Sequence, residues 1–244
     1  MILASGAFDA ADILAAAVAM SRGETANHDN ATTCHRHGWG AVWRDPATGK
    51  VDSHRDPRPA WQAIPDSPLT GLVTDFLAVH VRNATLPEKQ GLRFTHPLTR
   101  PDDDWHFMHN GYMPTVHRLL GMECSEFDSA EYFDYLVPPG TTALPGDDVL
   151  DRLRAVPPGG TTSGNAIVVN RGGAVVVHWS PRETPTPRFF TLHQFTDPLL
   201  CVVSSERIPA LAAPRRWHEV APASVLQMPF PLLSLPTSAP REAV

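Results

Sequence analysis

The sequence has few cysteines, no long apolar run and no cluster of basic residues. Its three cysteines, Cys34, Cys124 and Cys201, are an odd number at wide spacings with no CxxC pair. They indicate neither a disulfide framework nor a thiolate metal site. No apolar stretch approaches the roughly 18 residues of a membrane span. The short apolar run at 13–20 follows acidic residues, unlike a secretion signal. We therefore expect a cytoplasmic protein with no membrane partner.

The charge balance argues against a nucleic-acid partner. The chain has 20 Lys and Arg against 26 Asp and Glu, a formal net charge of −6, and its arginines are scattered. Binding to a phosphate backbone depends on clustered Lys and Arg, so we expect no nucleic acid. The length of 244 residues fits one large domain as well as two small ones, and we favour one domain, at 1–228. The Pro-rich residues 229–244 are predicted to form an extended or frayed tail.

Local patterns in the N-terminal half predict both helices and strands. Asp9 is expected to cap a helix that stops at Gly23, and the turn-forming cluster at 45–49 predicts a β-hairpin. Two segments rich in strand formers lie at 76–82 and 105–109. Both end in polar residues, at strand ends where functional sites are often built.

The C-terminal half predicts helices followed by a succession of strands. Helices are expected at 115–120, 129–136 and 147–156, with Asp128 as a candidate cap for the second. The arrangement indicates an α+β layered domain with antiparallel sheets whose outer faces need cover. The expected strands are 166–169, 174–179, 188–192, 199–203, 217–220 and 224–228.

Six short motifs occur in an order that resembles the class II glutamine amidotransferases. Each motif alone is weak, and their common order carries the resemblance. The resemblance implies a four-layer α-β-β-α sandwich of the N-terminal nucleophile hydrolase type, mainly antiparallel, that cuts a γ-glutamyl amide without a cofactor. The motifs are His37–Trp43, Ala78–Thr85, Thr95–Leu98, Phe107–Gly111, Asp128–Ser129 and Val203–Glu206.

The resemblance also implies how a γ-glutamyl substrate is held. Arg82 would grip the α-carboxylate with its planar fork, with Thr85 adding a hydroxyl. Asp128 would accept hydrogen bonds from the α-ammonium group. The run His109-Asn110-Gly111 implies an oxyanion hole, in which the Asn110 amide and the Gly111 N–H donate. His109 belongs to the same substrate-binding wall.

Simpler interpretations exist for each residue taken alone. Arg82 could form a surface ion pair, His-Asn-Gly is a good turn sequence, and Asp128 could serve only as a helix cap. Gly38 and Gly40 could mark close strand packing.

Two other kinds of site are poorly supported. The close histidine pairs, His35 with His37 and His106 with His109, lack an accompanying acidic ligand pattern, so we expect no metal. Ser204-Ser205 lacks the GxSxG pattern of a serine hydrolase.

The sequence departs from the family at the nucleophile. The family uses a terminal cysteine whose α-amine acts as the base, whereas this sequence begins with Met1 and Ile2. One hypothesis is that the natural chain begins slightly upstream with Met-Cys. The alternative is a lost nucleophile, which would leave an inactive γ-glutamyl-binding module.

The amidotransferase-like part takes up nearly the whole chain. It would therefore act alone on a small γ-glutamyl substrate, like the hydrolases of ergothioneine-type pathways, or supply ammonia to a separate synthetase chain.

Overall fold

The described chain forms two antiparallel sheets with helices on their outer faces. The computed structural model describes residues 1–28, 30–86, 88–101, 103–184 and 186–231. In this part the strands are β1 (Ile2–Gly6), β2 (Trp39–Arg44), β3 (Val51–Asp56), β4 (Phe76–Val81), β5 (Leu98–Thr99), β6 (His106–Tyr112), β7 (Ser163–Asn170), β8 (Gly173–His178), β9 (His193–Thr196), β10 (Leu200–Ser204), β11 (His218–Glu219) and β12 (Ser224–Pro229). The α-helices are α1 (Ala10–Arg22), α2 (Ala60–Ala63), α3 (Asp128–Leu136), α4 (Gly146–Arg154) and α5 (Pro187–Phe190).

The first sheet has seven strands in the order β11-β9-β10-β1-β4-β2-β3, and the second has five in the order β12-β8-β7-β6-β5. β1 pairs with both β10 and β4 near the middle of its sheet. This pairing places the start of β1 beside the end of β4. In the second sheet, β6 pairs with β7 along its whole length, from His106 to Tyr112.

Three groups of buried side chains show the layers. Ile13 and Met20 of α1 pack with the outer face of the seven-stranded sheet. Successive residues of β6 point to opposite faces, because side chains alternate along a strand. Met108 packs between the sheets, whereas Phe107 packs with α3 and α4 on the outer face of the second sheet. The result is the α-β-β-α sandwich that the resemblance implied.

The first helix and the hairpin follow the sequence closely. Asp9 Oδ1 accepts a hydrogen bond of 2.8 Å from the Ala11 N–H, and the helix ends at Gly23, whose φ of 80° favours glycine. β2 and β3 form the expected hairpin.

Two of the simpler interpretations do not hold, and one predicted strand was wrong. The residues His109, Asn110 and Gly111 do not form a turn, since all three lie within β6. Asp128 is the first residue of α3 and not its cap, because Phe127 holds that position and no side chain caps the helix. The segment 188–192 is not a strand, since α5 occupies most of it, and β9 follows it unpredicted.

One further prediction is only partly matched, and another stays open. Of the helix expected at 115–120, the structure retains a single 3₁₀ turn, Val116–Arg118. β12 runs through Pro229, and the Phe230 ring lies 4.8 Å from that of Phe76. Residues 232–244, most of the predicted tail, lie outside the described residues, so that prediction stays open. No helix in the described ranges combines the length and apolarity needed to cross a membrane.

Candidate functional site

A cavity of about 750 Å³ opens where β1 begins and β4 and β6 run towards their ends. Met1 and the first residue of α3 also line it. The structure therefore gathers in one cavity all the residues that the sequence nominated for the site. They are Arg82, Thr85, His109, Asn110, Gly111 and Asp128.

Arg82 lies immediately after β4 and is 8% exposed. Its Nη1 donates a hydrogen bond of 2.7 Å to the Lys89 carbonyl, and the guanidinium carbon lies about 6 Å from the rings of Phe94 and Phe127. No carboxylate of the described residues lies within 4 Å of it, so it is not the surface ion pair of the simpler interpretation. Burial lowers the pKa of Arg82 to about 10, and the charge of Asp128 opposes this shift. The guanidinium is thus charged at neutral pH.

His37 and Gly38 hold the segment that follows β4. The Arg82 backbone exchanges two hydrogen bonds of 2.9 Å with them, to Gly38 O and from the His37 N–H. His37 Nδ1 accepts a bond of 2.9 Å from the Ala84 N–H, which requires an unprotonated nitrogen. Burial and the charge of Arg82 lower the pKa of His37, so this acceptor is available at neutral pH. The segment carrying Arg82 and the exposed Thr85 is therefore fixed by its backbone.

Asn110 presents an unpaired amide to the cavity. Its side chain forms no hydrogen bond with the described residues, while its backbone pairs with Asn165 of β7. The next residue, Gly111, packs tightly, because a Cβ built there would lie 1.9 Å from the Ser163 carbonyl oxygen. The glycine is needed for the approach of β6 to β7, a reason that the oxyanion-hole interpretation did not include.

His109 connects the second sheet to α3. Its Nε2 lies 3.0 Å from the Ser163 carbonyl oxygen, which only accepts, so Nε2 must donate. Its Nδ1, 2.9 Å from Ser129 Oγ, then accepts the serine proton. Burial lowers the pKa of His109, in agreement with a neutral ring. With both nitrogens occupied, the ring orients α3, and with it Asp128, relative to β6.

Asp128 faces the cavity from the start of α3. Its Oδ2 accepts a hydrogen bond of 2.8 Å from the Met113 N–H. Its Oδ1 has no hydrogen-bond donor among the described residues. The carboxylate therefore keeps one oxygen for a ligand, within the same cavity as the charged guanidinium of Arg82.

Buried histidines below the site were quoted in the motifs but given no role. His80 Nε2 donates a hydrogen bond of 3.0 Å to the His109 carbonyl, and its ring centre lies 4.5 Å from that of His96. Both ring nitrogens of His96 are buried without a hydrogen-bond partner among the described residues. Burial lowers the pKa of both side chains well below the usual value. The only feature of the sequence that singled out these two histidines was their place in the motifs.

Glu206 forms a buried acidic group on the Met1 side of the cavity. Thr25 donates a hydrogen bond to it, and His35 Nε2 lies 3.8 Å from Oε1. Burial alone would raise the pKa of Glu206, but these neighbours hold it below its usual value. Beside it, the Met1 nitrogen donates a hydrogen bond of 2.8 Å to Ser205 Oγ. The sequence placed Ser205-Glu206 in a motif without assigning it a function.

The histidine pairs do not converge on a metal site. The one group of three or more metal-ligating residues in the described ranges contains none of His35, His37, His106 and His109. Gly40 supports the packing interpretation, because a Cβ there would lie 2.2 Å from the His96 carbonyl oxygen.

Comparison with known proteins agrees with the geometry. Residues 13–127 match the family model described as glutamine amidotransferases class-II. A search of curated proteins found no match.

Solved structures share the fold at low sequence identity. Glutamine phosphoribosylpyrophosphate amidotransferase from B. subtilis superposes with a TM-score of 0.64 at 15% identity, covering 93% of this chain and 46% of that one. An allosteric regulatory enzyme of purine biosynthesis gives a TM-score of 0.63 at 16% identity, with the same two coverages of 93% and 46%. A glutamine aminotransferase class-II domain protein from Silicibacter pomeroyi gives a TM-score of 0.50 at 17% identity, covering 80% of this chain and 92% of that one.

The chain therefore spans about half the length of the first two of these proteins. The likenesses establish its fold as that of the N-terminal nucleophile amidotransferases. The sequence match to the class II glutamine amidotransferases covers residues 13–127, a little under half of the chain.

Proposed function

We propose that the cavity binds the amino-acid end of glutamine or of a γ-glutamyl conjugate. The observation that carries the proposal is Arg82, a buried, charged guanidinium with no carboxylate of the described residues within 4 Å. A buried charge with no counter-ion in contact is costly, and a bound α-carboxylate would compensate it. Asp128, with one oxygen unengaged, supplies the complementary charge for an α-ammonium group. A site that pairs both charges rejects ligands that lack either one.

The proposed reaction is cleavage of the γ-amide. The unpaired Asn110 amide would donate to the oxyanion that forms when the amide carbonyl is attacked. A cysteine joined to Met1 would be attached at a nitrogen that already lies in the cavity wall, 2.8 Å from Ser205 Oγ. Its thiol and its own α-amine would then supply the nucleophile and the base in the same cavity as Asn110.

Calorimetric titration with L-glutamate tests the binding proposal. Hydrogen bonds to charged groups are worth about 1.5–3 kcal/mol, so Arg82→Ala should weaken binding by roughly 10- to 150-fold. Arg171→Ala is the matched control, because this exposed arginine pairs with Asp104 outside the cavity. Equal affinities of the two variants would contradict the assignment of Arg82.

Glutamate release tests the reaction. Two forms of the chain, with cysteine or alanine as a first residue joined to Met1, should be given L-glutamine and a γ-glutamyl amide. We expect release only from the cysteine form, slowed about 10²- to 10³-fold by Asn110→Ala. If neither form releases glutamate while both bind it, the chain is a γ-glutamyl-binding module and the cleavage proposal is wrong.

A further inference from the structure

A second group of reactive side chains lies between β6 and α3. His117 belongs to the 3₁₀ turn Val116–Arg118, Cys124 to the loop that follows, and Glu131 to the first turn of α3. One ring nitrogen of His117, the Cys124 Sγ and one carboxylate oxygen of Glu131 all lie within 4.8 Å of one another. The proposed γ-glutamyl site uses none of these three side chains.

Glu131 is the unusual member of this group. Its side chain is only 2% exposed, and its Oε1 accepts a hydrogen bond from the Ser125 N–H. Its Oε2 is buried with no hydrogen-bond partner among the described residues, and the same holds for His117 Nδ1. These two atoms face each other at 4.0 Å. An unsatisfied buried carboxylate oxygen is destabilising, so the arrangement calls for a ligand between the two side chains.

We propose that His117, Cys124 and Glu131 bind a divalent metal ion of the zinc type. Imidazole nitrogen, thiolate sulfur and carboxylate oxygen are all zinc ligands, whereas magnesium and calcium favour oxygen alone. In a tetrahedral site with bonds of about 2.0–2.3 Å, the ligand atoms lie roughly 3.3–3.8 Å apart. The present distances therefore need to close by about 1.5 Å or less, which the exposed Cys124 on its loop allows.

The ion would fasten the loop that contains Cys124 to α3. Asp128 lies at the start of that helix, and Cys124 itself also lines the cavity. A metal at this position would therefore order one wall of the γ-glutamyl site without touching Arg82 or Asn110. The sequence did not indicate this site, because the three ligands are spaced seven residues apart in a pattern that matches no common metal motif.

Cobalt(II) titration of the chelator-treated full chain tests the proposal. Co²⁺ replaces Zn²⁺ in such sites, and a thiolate ligand adds a sulfur-to-cobalt charge-transfer absorption in the near ultraviolet. We expect saturable absorption at one ion per chain, displaced by Zn²⁺, and a higher thermal unfolding midpoint with Zn²⁺. Cys124→Ser should abolish the absorption, and Glu131→Gln should weaken Zn²⁺ binding by at least about tenfold.

Cys34→Ser and Cys201→Ser are the matched controls. Both variants should retain the cobalt absorption and the higher thermal midpoint with Zn²⁺. No saturable absorption in the unaltered chain, or absorption that survives Cys124→Ser, would overturn the proposal. In either case His117 and Glu131 are only buried neighbours with no ion between them. Because Cys124 is exposed, its replacement should leave the fold intact, which the far-ultraviolet circular dichroism spectrum checks. Binding of L-glutamate is measured separately. A failure of the metal proposal can therefore be told apart from a failure of the proposal that the cavity binds glutamate.

Discussion

Arg82 and Asp128 place opposite charges in one cavity. Each of them is positioned by a neighbouring histidine. His37 fixes the segment after β4 that carries Arg82, and His109 fixes the helix that begins with Asp128. Histidines around the site therefore have a positioning role. They serve mainly as neutral hydrogen-bonding groups that position the charged residues.

Asp128→Asn tests the assignment of the α-ammonium group. The asparagine side-chain oxygen can still accept from the Met113 N–H, so the helix start should be preserved while the charge is lost. Affinity for L-glutamate should fall by roughly 10- to 150-fold, the loss expected for a hydrogen bond to a charged group. Affinity for 2-oxoglutarate, which lacks the ammonium group, should not fall. An equal fall for both ligands, measured by calorimetry, would refute the role of Asp128.

The sequence predicted the cavity residues because their motifs keep a fixed order along the chain. It assigned no role to His80, His96 or Glu206, since their importance comes from burial and from partners distant in sequence. Glu206 meets Thr25 and His35 only after the chain has folded. No local pattern reports such contacts.

The pairing of β6 with β7 positions the Asn110 side of the cavity. Gly111 permits this pairing, because any Cβ would overlap the Ser163 carbonyl oxygen at 1.9 Å. Gly111→Ala should therefore destabilise the chain by about 1–3 kcal/mol, the usual range for overpacking. For a chain of this size, this corresponds to a fall in the thermal midpoint of roughly 2–12 °C.

Gly172→Ala provides the control for that substitution. Gly172 lies between β7 and β8, where a Cβ would meet only the Asn170 side-chain oxygen at 3.3 Å. Differential scanning calorimetry should show little change for Gly172→Ala. A fall as large as that of Gly111→Ala would show that contact with Ser163 is not the cause.

Elements with strong local signals were predicted well, and elements set by tertiary packing were not. α1 has an N-cap, an apolar face and a C-terminal glycine, and the hairpin of β2 and β3 has a turn-forming cluster. His109-Asn110-Gly111 is a good turn sequence taken alone, but pairing with β7 extends the predicted strand through all three residues. The aromatic segment at 188–192 was predicted to be a strand, but α5 forms there.

At the scale of the whole molecule, buried neutral histidines couple stability to pH. Burial lowers the pKa of His80, His96 and His109 from an ordinary value of 6.5. Below pH 6.5 the unfolded chain binds protons that the folded chain does not. The free energy of unfolding therefore decreases as the pH is lowered. The fall begins near pH 6.5 and reaches up to about 1.4 kcal/mol per pH unit for each histidine that stays neutral.

Urea unfolding at pH 8.0 and pH 5.5 measures this loss. The midpoint should be lower at pH 5.5, and His96→Leu, which cannot bind a proton, should show a smaller difference between the two conditions. His218→Leu changes an exposed histidine of β11 and should keep the full difference. An identical pH response in the His96→Leu variant and the unaltered chain would rule out His96 as a contributor.

A crystal structure of the chain with L-glutamate tests the central claim most directly. We predict that the α-carboxylate lies on the Arg82 guanidinium, the α-ammonium group on Asp128 and the γ-carboxylate beside the Asn110 amide. Glutamate bound elsewhere, or bound in the cavity with its α-carboxylate away from Arg82, would contradict the account.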